Sequence, residues 1–373
     1  MINSEKIYVT RPLLPDFEDF IKLVKEVYDS KWLTNMGPKH NLLEQLITKE
    51  LKVPYSLLVN NGTSALFIAL KLLNLPEKSE VITTPFTFAA TVHSIVWNNL
   101  TPVFCDIEPN TMTIDADKIE ALITPNTSAI LGVHVYGFPC NVEKINKIAK
   151  KHNLKVIYDA AHAFSTEIEG KGIGCFGDVS AFSFHSTKLF NTIEGGCVAI
   201  RTQDLYEKAK ELRDFGIIDE NTINDIGMNA KLNEIQSAWG LLNLKIYKEE
   251  QISRKKIKEF YDEKLGGIKG VKIPQMPNNT SNSYQYYPIV IQNDFPITRD
   301  ELCLQFNKHD IYPRKYFSPV CSDFECYKNI RGCENLKNTD NLKNKVLCLP
   351  YYGTLKEEEL KLVVNVIENA KDL

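Results

Sequence analysis

One lysine, Lys188, lies between two short apolar runs that read as neighbouring buried strands. Val179-Ser180-Ala181-Phe182-Ser183-Phe184 precedes it, rich in small and aromatic residues, and Gly195-Gly196 leads from it into Cys197-Val198-Ala199-Ile200. Between them His185-Ser186-Thr187 leaves regular structure and presents the lysine. A lysine in such a place must be paired or neutralised. Burial lowers its pKa, and a neutral amine is the form that attacks a carbonyl to make a Schiff base. A lysine on a loop is ordinarily solvated, so the rest of the chain has to decide between the two readings.

The chain has room for a large core. Its 373 residues are 43% apolar, which suits two domains or one large domain with a small companion. Lys+Arg 44 against Asp+Glu 47 gives a net charge of −3, so no nucleic-acid partner is expected. The polar opening Met1–Lys6 predicts no secretory signal, and no apolar run approaches the ~18 residues of a membrane span. Nine cysteines in scattered positions predict free thiols in a reducing cytoplasm. Cys321, Cys326 and Cys333 come nearest to a cluster, but their spacing matches no zinc module, and no metal is expected.

In order, the spacing predicts an entry helix carrying Phe17, Phe20, Ile21, Val24 and Val27, then a break at Gly37-Pro38. A second helix follows, with Leu42, Leu43, Leu46 and Ile47 on one face. From Ser56 strands and helices alternate. Leu57-Leu58-Val59 runs into Asn60-Asn61-Gly62-Thr63-Ser64 and a helix from Leu66 to Leu73. Glycine allows a tight turn there, and the open N–H groups of the first helical turn, with the Thr63 and Ser64 hydroxyls, suit an anion such as phosphate. An ordinary Ser/Thr cap is the alternative. Glu80–Thr84 is a strand ending at Pro85-Phe86-Thr87-Phe88, where open α/β sheets bind ligands and an aromatic can stack on a planar ring. Further strands are expected at Thr101–Asp106 and Ala129–Val135, and a helix at Asn141–His152 capped by Asn141. Lys155–Asp159 delivers a carboxylate at its end, followed by Ala160-Ala161-His162-Ala163; helix capping is the other reading of Asp159.

Beyond Ile200, a helix is expected at Leu205–Arg213 and a long one from Ile235, its charged stretch Lys245–Lys264 a solvated connector. The remainder reads as a small α+β domain. It has a strand over Tyr284–Ile291 in which Pro288 suggests an edge or bulge, a capped helix over Thr298–His309, a final helix over Leu355–Lys371, and the turn Ile311–Pro319. Residues 1–245 would then form the large domain and 246–373 the connecting helix and small domain.

An anion cradle at Gly62–Ser64, an aromatic at Phe88, a strand-end carboxylate at Asp159 and then Lys188 have one shared use. A pyridoxal phosphate site needs a phosphate cradle, a ring partner, a carboxylate on the pyridinium nitrogen and a lysine for the Schiff base. A dinucleotide-binding enzyme would need a Gly-x-Gly-x-x-Gly turn after a strand, and none occurs.

Gly62-Thr63-Ser64-Ala65-Leu66, Pro85-Phe86-Thr87-Phe88, Asp159-Ala160-Ala161-His162-Ala163 and Ser183-Phe184-His185-Ser186-Thr187-Lys188, with Glu194-Gly195-Gly196, resemble the signature of the DegT/DnrJ/EryC1/StrS aminotransferases. The resemblance covers essentially the whole chain. It implies an α/β, aspartate-aminotransferase-like fold (pyridoxal phosphate fold type I): a large domain with a mostly parallel sheet plus a small C-terminal α+β domain. It also implies pyridoxal 5′-phosphate as cofactor and a homodimer with shared active sites. By position, Lys188 would bind the cofactor aldehyde and move the substrate proton, and Asp159 would pair with the pyridinium nitrogen. Phe88 would stack on the ring, and His162 would lie against it or its 3-hydroxyl. Gly62, Thr63, Ser64 and Ser183 would hold the phosphate, and Asn229 would reach it from the other subunit. Arg314 and Tyr316 would stand on the substrate side.

Two positions depart from the family pattern: Ile193 replaces a usual glycine, and Lys231 stands where arginine is common. The resemblance implies glutamate as donor and a nucleotide-linked keto sugar as acceptor. Lys31–Pro38, His134–Gly137 and Phe190–Glu194 look most like enzymes acting on dTDP-4-keto-6-deoxyglucose, whose product, dTDP-4-amino-4,6-dideoxyglucose, would enter a surface polysaccharide such as a lipopolysaccharide. Amination at C3 of a 3-keto isomer, a UDP- or GDP-linked substrate, and a non-catalytic binding or regulatory protein on the same fold are the alternatives. The presence of both Lys188 and Asp159 favours catalysis.

Overall fold

A computed structural model describes residues 6–372; Met1–Glu5, which carry nearly all of the polar opening segment, and Leu373 lie outside them. Seven strands form the central sheet: β1 (Tyr55–Val59), β2 (Glu80–Thr83), β3 (Thr101–Phe104), β4 (Thr127–Val133), β5 (Lys155–Asp159), β6 (Val179–Ser183) and β7 (Gly196–Ile200). Their spatial order is β1-β7-β6-β5-β4-β2-β3. Only β7 runs antiparallel to its neighbours; every other pair is parallel. Strands such as Leu57-Leu58-Val59 and Val156-Ile157-Tyr158 are apolar without alternation because both faces of the sheet are covered.

Helices α1 (Phe17–Ser30), α2 (Pro38–Glu50), α3 (Gly62–Leu72), α4 (Ala89–Trp97), α5 (Val142–His152), α6 (Gln203–Arg213), α7 (Glu234–Leu265), α8 (Arg299–Lys308) and α9 (Glu357–Glu368) complete the frame. Their ends follow local chemistry. Asn61 and Asn141 cap α3 and α5 by accepting from the backbone N–H three residues on, and Thr298 and Glu301 close a capping box on α8. Pro38 opens α2, where its missing N–H costs nothing.

Pairing register aligns the functional edge. Asp159 lies opposite Val133 and Ala181, while Gly196 lies opposite both Val59 and Ser183. Because β7 is reversed, its first residue meets the last residues of β1 and β6. Val59, Asp159, Ser183 and Gly196 therefore crowd one margin of the sheet.

A second core lies under a three-stranded antiparallel sheet of β8 (Val271–Lys272), β9 (Tyr287–Ile291) and β10 (Val346–Leu349), built from Ile257, Tyr261, Ile289, Phe306, Leu347, Val363 and their neighbours. Ile7 joins it, its short strand pairing in parallel with Ile311-Tyr312. Pro288 is in the central strand of this sheet, not at an edge, but β8 pairs only with Val290 and Ile291. The proline thus stands where that side of β9 is open.

Two expectations about helices change. The charged connector is the second half of one continuous 32-residue helix, α7, and it is not simply solvated: Tyr247, Glu250, Arg254, Ile257 and Tyr261 are buried along one face. Arg254 Nε meets Glu250 Oε1 at 2.6 Å, one turn apart, so a buried ion pair hides inside a run that reads as a polar surface. The entry helix α1 forms as expected, but Phe17 and Ile21 stay exposed and only Val27 is buried. No helix among the described residues is long and apolar enough to cross a membrane, and no group of His, Cys, Asp and Glu there is arranged to hold a metal ion.

Candidate active site

At the carboxyl margin of the sheet opens a cavity of about 730 Å³, roofed by Tyr286 and the turn over residues 314–317, which flank the three-stranded sheet and with it form the small body. The α3 N-terminus forms one end of it. Asn61 Oδ1 accepts from Ser64 N (2.8 Å) and Asn61 O from Ala65 N (3.1 Å), which leaves the Gly62 and Thr63 N–H groups as the helix's open donors. A Cβ on Gly62 would sit 2.7 Å from the Ser183 Cβ, so only glycine lets the helix start this close to β6. Gly62, Thr63, Ser64 and Ser183 all line this end, a cradle suited to a phosphate.

Phe88, the residue just before α4, is 64% exposed on the cavity rim, whereas Phe86, two residues earlier, is fully buried. The chain thus spends one aromatic on the core and leaves the other with an open face. Asp159 is only 5% exposed. Its Oδ1 accepts from Ala161 N (3.0 Å) and its Oδ2 from Thr91 Oγ1 (2.7 Å), while Thr91 Oγ1 is in turn 2.7 Å from Thr87 Oγ1. Burial raises the Asp159 pKa, and these hydrogen bonds and the charge of Lys188 counter the rise.

Lys188 faces the same cavity with its Nζ 5.9 Å from the Tyr286 ring centroid. Burial pulls its amine down to about 8, against the opposing pull of Asp159. His162 is buried beside both, its Nδ1 accepting from Tyr136 N at 3.1 Å, so a neutral ring carries its proton on Nε2. Burial, and then the charge of Lys188, holds it well below the usual imidazole range. Its ring lies parallel to those of Tyr136 and Phe317 and edge-on to Tyr286.

Arg314 and Tyr316 reach the cavity from the small body, the guanidinium 5.7 Å from the Tyr316 ring centroid. Backbone bonds in both directions between Arg314 and Cys348 (3.1 and 2.8 Å) hold that turn on β10. Asn229 is the exception among the expected residues. It does not line the cavity; it is exposed, and its carbonyl accepts from Asn60 Nδ2 (3.2 Å).

The two departures from the family pattern have local explanations. Ile193 adopts φ +67°, a left-handed conformation that a β-branched residue rarely takes and that the usual glycine takes freely. Lys231 pairs with Asp214 and sits over the Phe215 ring, a point charge in place of an arginine fork. Sequence reading missed Thr87, Thr91, Gln285, Tyr286 and Phe317. Thr91 carried a usable signal, lying one helical turn beyond Phe88 on the helix that leaves a strand end; the small-body residues carried none.

The anion cradle at Gly62–Ser64 and Ser183, the open face of Phe88, the buried carboxylate of Asp159 and the depressed amine of Lys188, all on one cavity, are the chemistry that pyridoxal phosphate requires of a site. Such a site on this fold is that of a pyridoxal-phosphate-dependent aminotransferase. The family model for the DegT/DnrJ/EryC1/StrS aminotransferases matches residues 16–368, and the chain belongs to that family. It is 43% identical, over 99% of its length and 100% of the relative's, to a dTDP-4-amino-4,6-dideoxy-D-glucose transaminase of Shigella dysenteriae. A transaminase of the same name from Escherichia coli is 41% identical over 96% of each chain. Among solved structures, DesI in the presence of its TDP-sugar product superposes with a TM-score of 0.93 at 32% identity, covering 99% of this chain and 94% of that one. Helicobacter pylori PseC, an aminotransferase of pseudaminic acid biosynthesis, superposes at 0.91 and 30%, covering 99% and 100%.

Proposed function

We propose that this chain transfers the amino group of glutamate to dTDP-4-keto-6-deoxyglucose, yielding dTDP-4-amino-4,6-dideoxyglucose and 2-oxoglutarate. The observation that carries the reading is Lys188 and Asp159 on one cavity that the α3 N-terminus also enters; the 43% and 41% identities to transaminases named for that product support the sugar. When bound, pyridoxal phosphate holds the amino group between donor and acceptor and draws electrons from the carbon that loses its proton.

Each residue then has a task. Lys188, uncharged in part near neutral pH, would hold the cofactor at its aldehyde and would move the proton at the sugar C4. Asp159 would keep a proton on the ring nitrogen, its carboxylate oriented by Thr91 and, through it, Thr87. Phe88 would cover one ring face. His162, with its proton on Nε2, would donate to the ring hydroxyl. The Gly62 and Thr63 N–H groups, with the Thr63, Ser64 and Ser183 hydroxyls, bind phosphate, and Arg314 and Tyr316 face the sugar nucleotide.

The working unit is proposed to be a cytoplasmic homodimer in which Asn229 serves the partner's phosphate site. Exposed Phe17, Tyr28, Trp32 and Leu33 on the α1 side, Ile218 and Ile223 on a two-stranded hairpin over residues 217–223, and Ile226 just after it support an apolar contact between copies. The large unit is proposed to end near residue 245, within α7, and the amino sugar to feed a surface polysaccharide. Incubating the protein with pyridoxal phosphate, glutamate and dTDP-4-keto-6-deoxyglucose should give the C4 amine by mass and NMR. Amination confined to a 3-keto isomer, or to UDP- or GDP-linked sugars, would overturn the substrate.

A further inference from the structure

We propose that Gln285 is a positioning residue for Lys188: its side-chain amide bridges the peptide groups on either side of the lysine and so fixes where the amine can reach. This rests on the reading of Lys188 as the reactive amine. Gln285 Nε2 donates to Thr187 O at 3.0 Å, and Gln285 Oε1 accepts from Leu189 N at 2.8 Å. The side chain is buried at 2% exposure.

The backbone needs such a partner here. β6 ends at Ser183 and β7 starts at Gly196, so no strand pairing holds the segment between them. Local bonds, Lys188 N to His185 O (2.8 Å) and Thr192 N to Phe184 O (2.9 Å), shape the loop without holding the Thr187 carbonyl or the Leu189 N–H. One donor and one acceptor on a single planar group is what a carbonyl and an N–H flanking one residue require, and the carboxamide supplies both.

The clamp itself stands on a firm base. Arg254 Nη1 donates to the carbonyls of Tyr284 (3.3 Å) and Gln285 (3.5 Å), and the Arg254–Glu250 pair below it also receives Gly353 N at 2.8 Å. The buried charge that interrupts α7's polar surface thereby acquires a purpose. It holds the segment leading into β9, whose Gln285 holds the lysine loop. The next residue, Tyr286, sets its ring beside the lysine Nζ, so two consecutive residues of the small body position both the backbone and the tip of Lys188.

The test compares wild type, Gln285→Met (similar length, no hydrogen bonds), Gln285→Glu (keeps the acceptor for Leu189, loses the donor for Thr187) and Lys188→Ala. Each is mixed with pyridoxal phosphate. Non-covalent affinity is read by fluorescence quenching, and lysine attachment by absorbance and by mass after borohydride reduction. Q285M is expected to keep the cofactor's non-covalent affinity within about threefold and to attach it ~10–100-fold more slowly, the scale of a lysine misplaced by ~1 Å. The pH midpoint of attachment should rise as the amine is freed toward water, and Q285E should fall between Q285M and wild type. Attachment in both variants at the wild-type rate and pH midpoint would overturn the proposal. Should Q285M fail to fold, Q285E decides by the same rate. Wild type that behaves like K188A would remove the functional reading itself, and the positioning role with it.

Discussion

The two walls of the cavity are built by different rules. The sheet wall carries Gly62–Ser64, Asp159, Ser183 and Lys188 on strand ends and a helix start, placed by backbone pairing such as Asp159 opposite Ala181 and Gly196 opposite Ser183. The opposite wall carries Tyr286, Arg314, Tyr316 and Phe317 on a strand entry and a turn, placed by contacts between segments distant in sequence, such as Tyr286 and Phe317 against Tyr136 and His162. On the proposed reading, the sheet wall would hold the groups that amino transfer with pyridoxal phosphate needs, and the other wall those that face a particular substrate. Substitutions should therefore split: those on the sheet side should stop chemistry, and those opposite should change reach and binding.

The largest effect is expected at Lys188. Lys188→Ala should lower turnover by at least ~10³-fold while pyridoxal phosphate still binds without a covalent link. In wild type, attachment should accelerate as pH rises through about 8, because deprotonation above that value supplies the free amine, and the variant should lose that dependence. Sustained turnover by the variant would take the sheet wall's central group away. Asp159→Asn should fold and slow transamination on the order of 10²–10³-fold, since the ring nitrogen loses its charged partner. Near-normal activity would leave Asp159 a structural role only.

Thr91→Val should cost about tenfold in kcat with little change in KM, and Thr91→Ser should recover most of it, because the hydroxyl on Asp159 Oδ2 is what is lost. An equal loss in T91S would point to packing rather than to the hydrogen bond. Across the cavity, Arg314→Ala should raise KM for the sugar nucleotide about tenfold and leave kcat nearly unchanged. A kcat loss as large as that of D159N would erase the division between the walls. The smallest effect is expected at Ile193. Replacing it with glycine should leave kinetics unchanged and alter stability by no more than ~1 kcal/mol, as relief of the positive φ offsets the entropy of a freer unfolded chain. Thermal melting would show this, and a large destabilisation would mean that the exposed isoleucine makes a contact between copies.

The same division explains what could be read from sequence. Strand ends, the Gly62 turn and the order of Asp159 before Lys188 are local patterns, and with the family resemblance they located most of the sheet wall. Thr91 needed the extra step of following a helix one turn past Phe88. Gln285 and Tyr286 could not be reached this way, since Gln285 meets Thr187 and Leu189 only because the small body folds back over the loop. Arg254 and Glu250 looked like ordinary members of a charged helix, and burial on one face of α7 is a tertiary fact. Ile193 shows the reverse case: the departure was visible in the chain, and the structure supplied its consequence, a left-handed isoleucine.

The most direct test is a visible spectrum of the protein loaded with pyridoxal phosphate, taken before and after glutamate is added. The account predicts an absorbance band of lysine-bound cofactor in wild type that disappears with glutamate, with no such band in Lys188→Ala. A protein that stays colourless with added cofactor, or a band that Lys188→Ala retains or that glutamate leaves untouched, would contradict it.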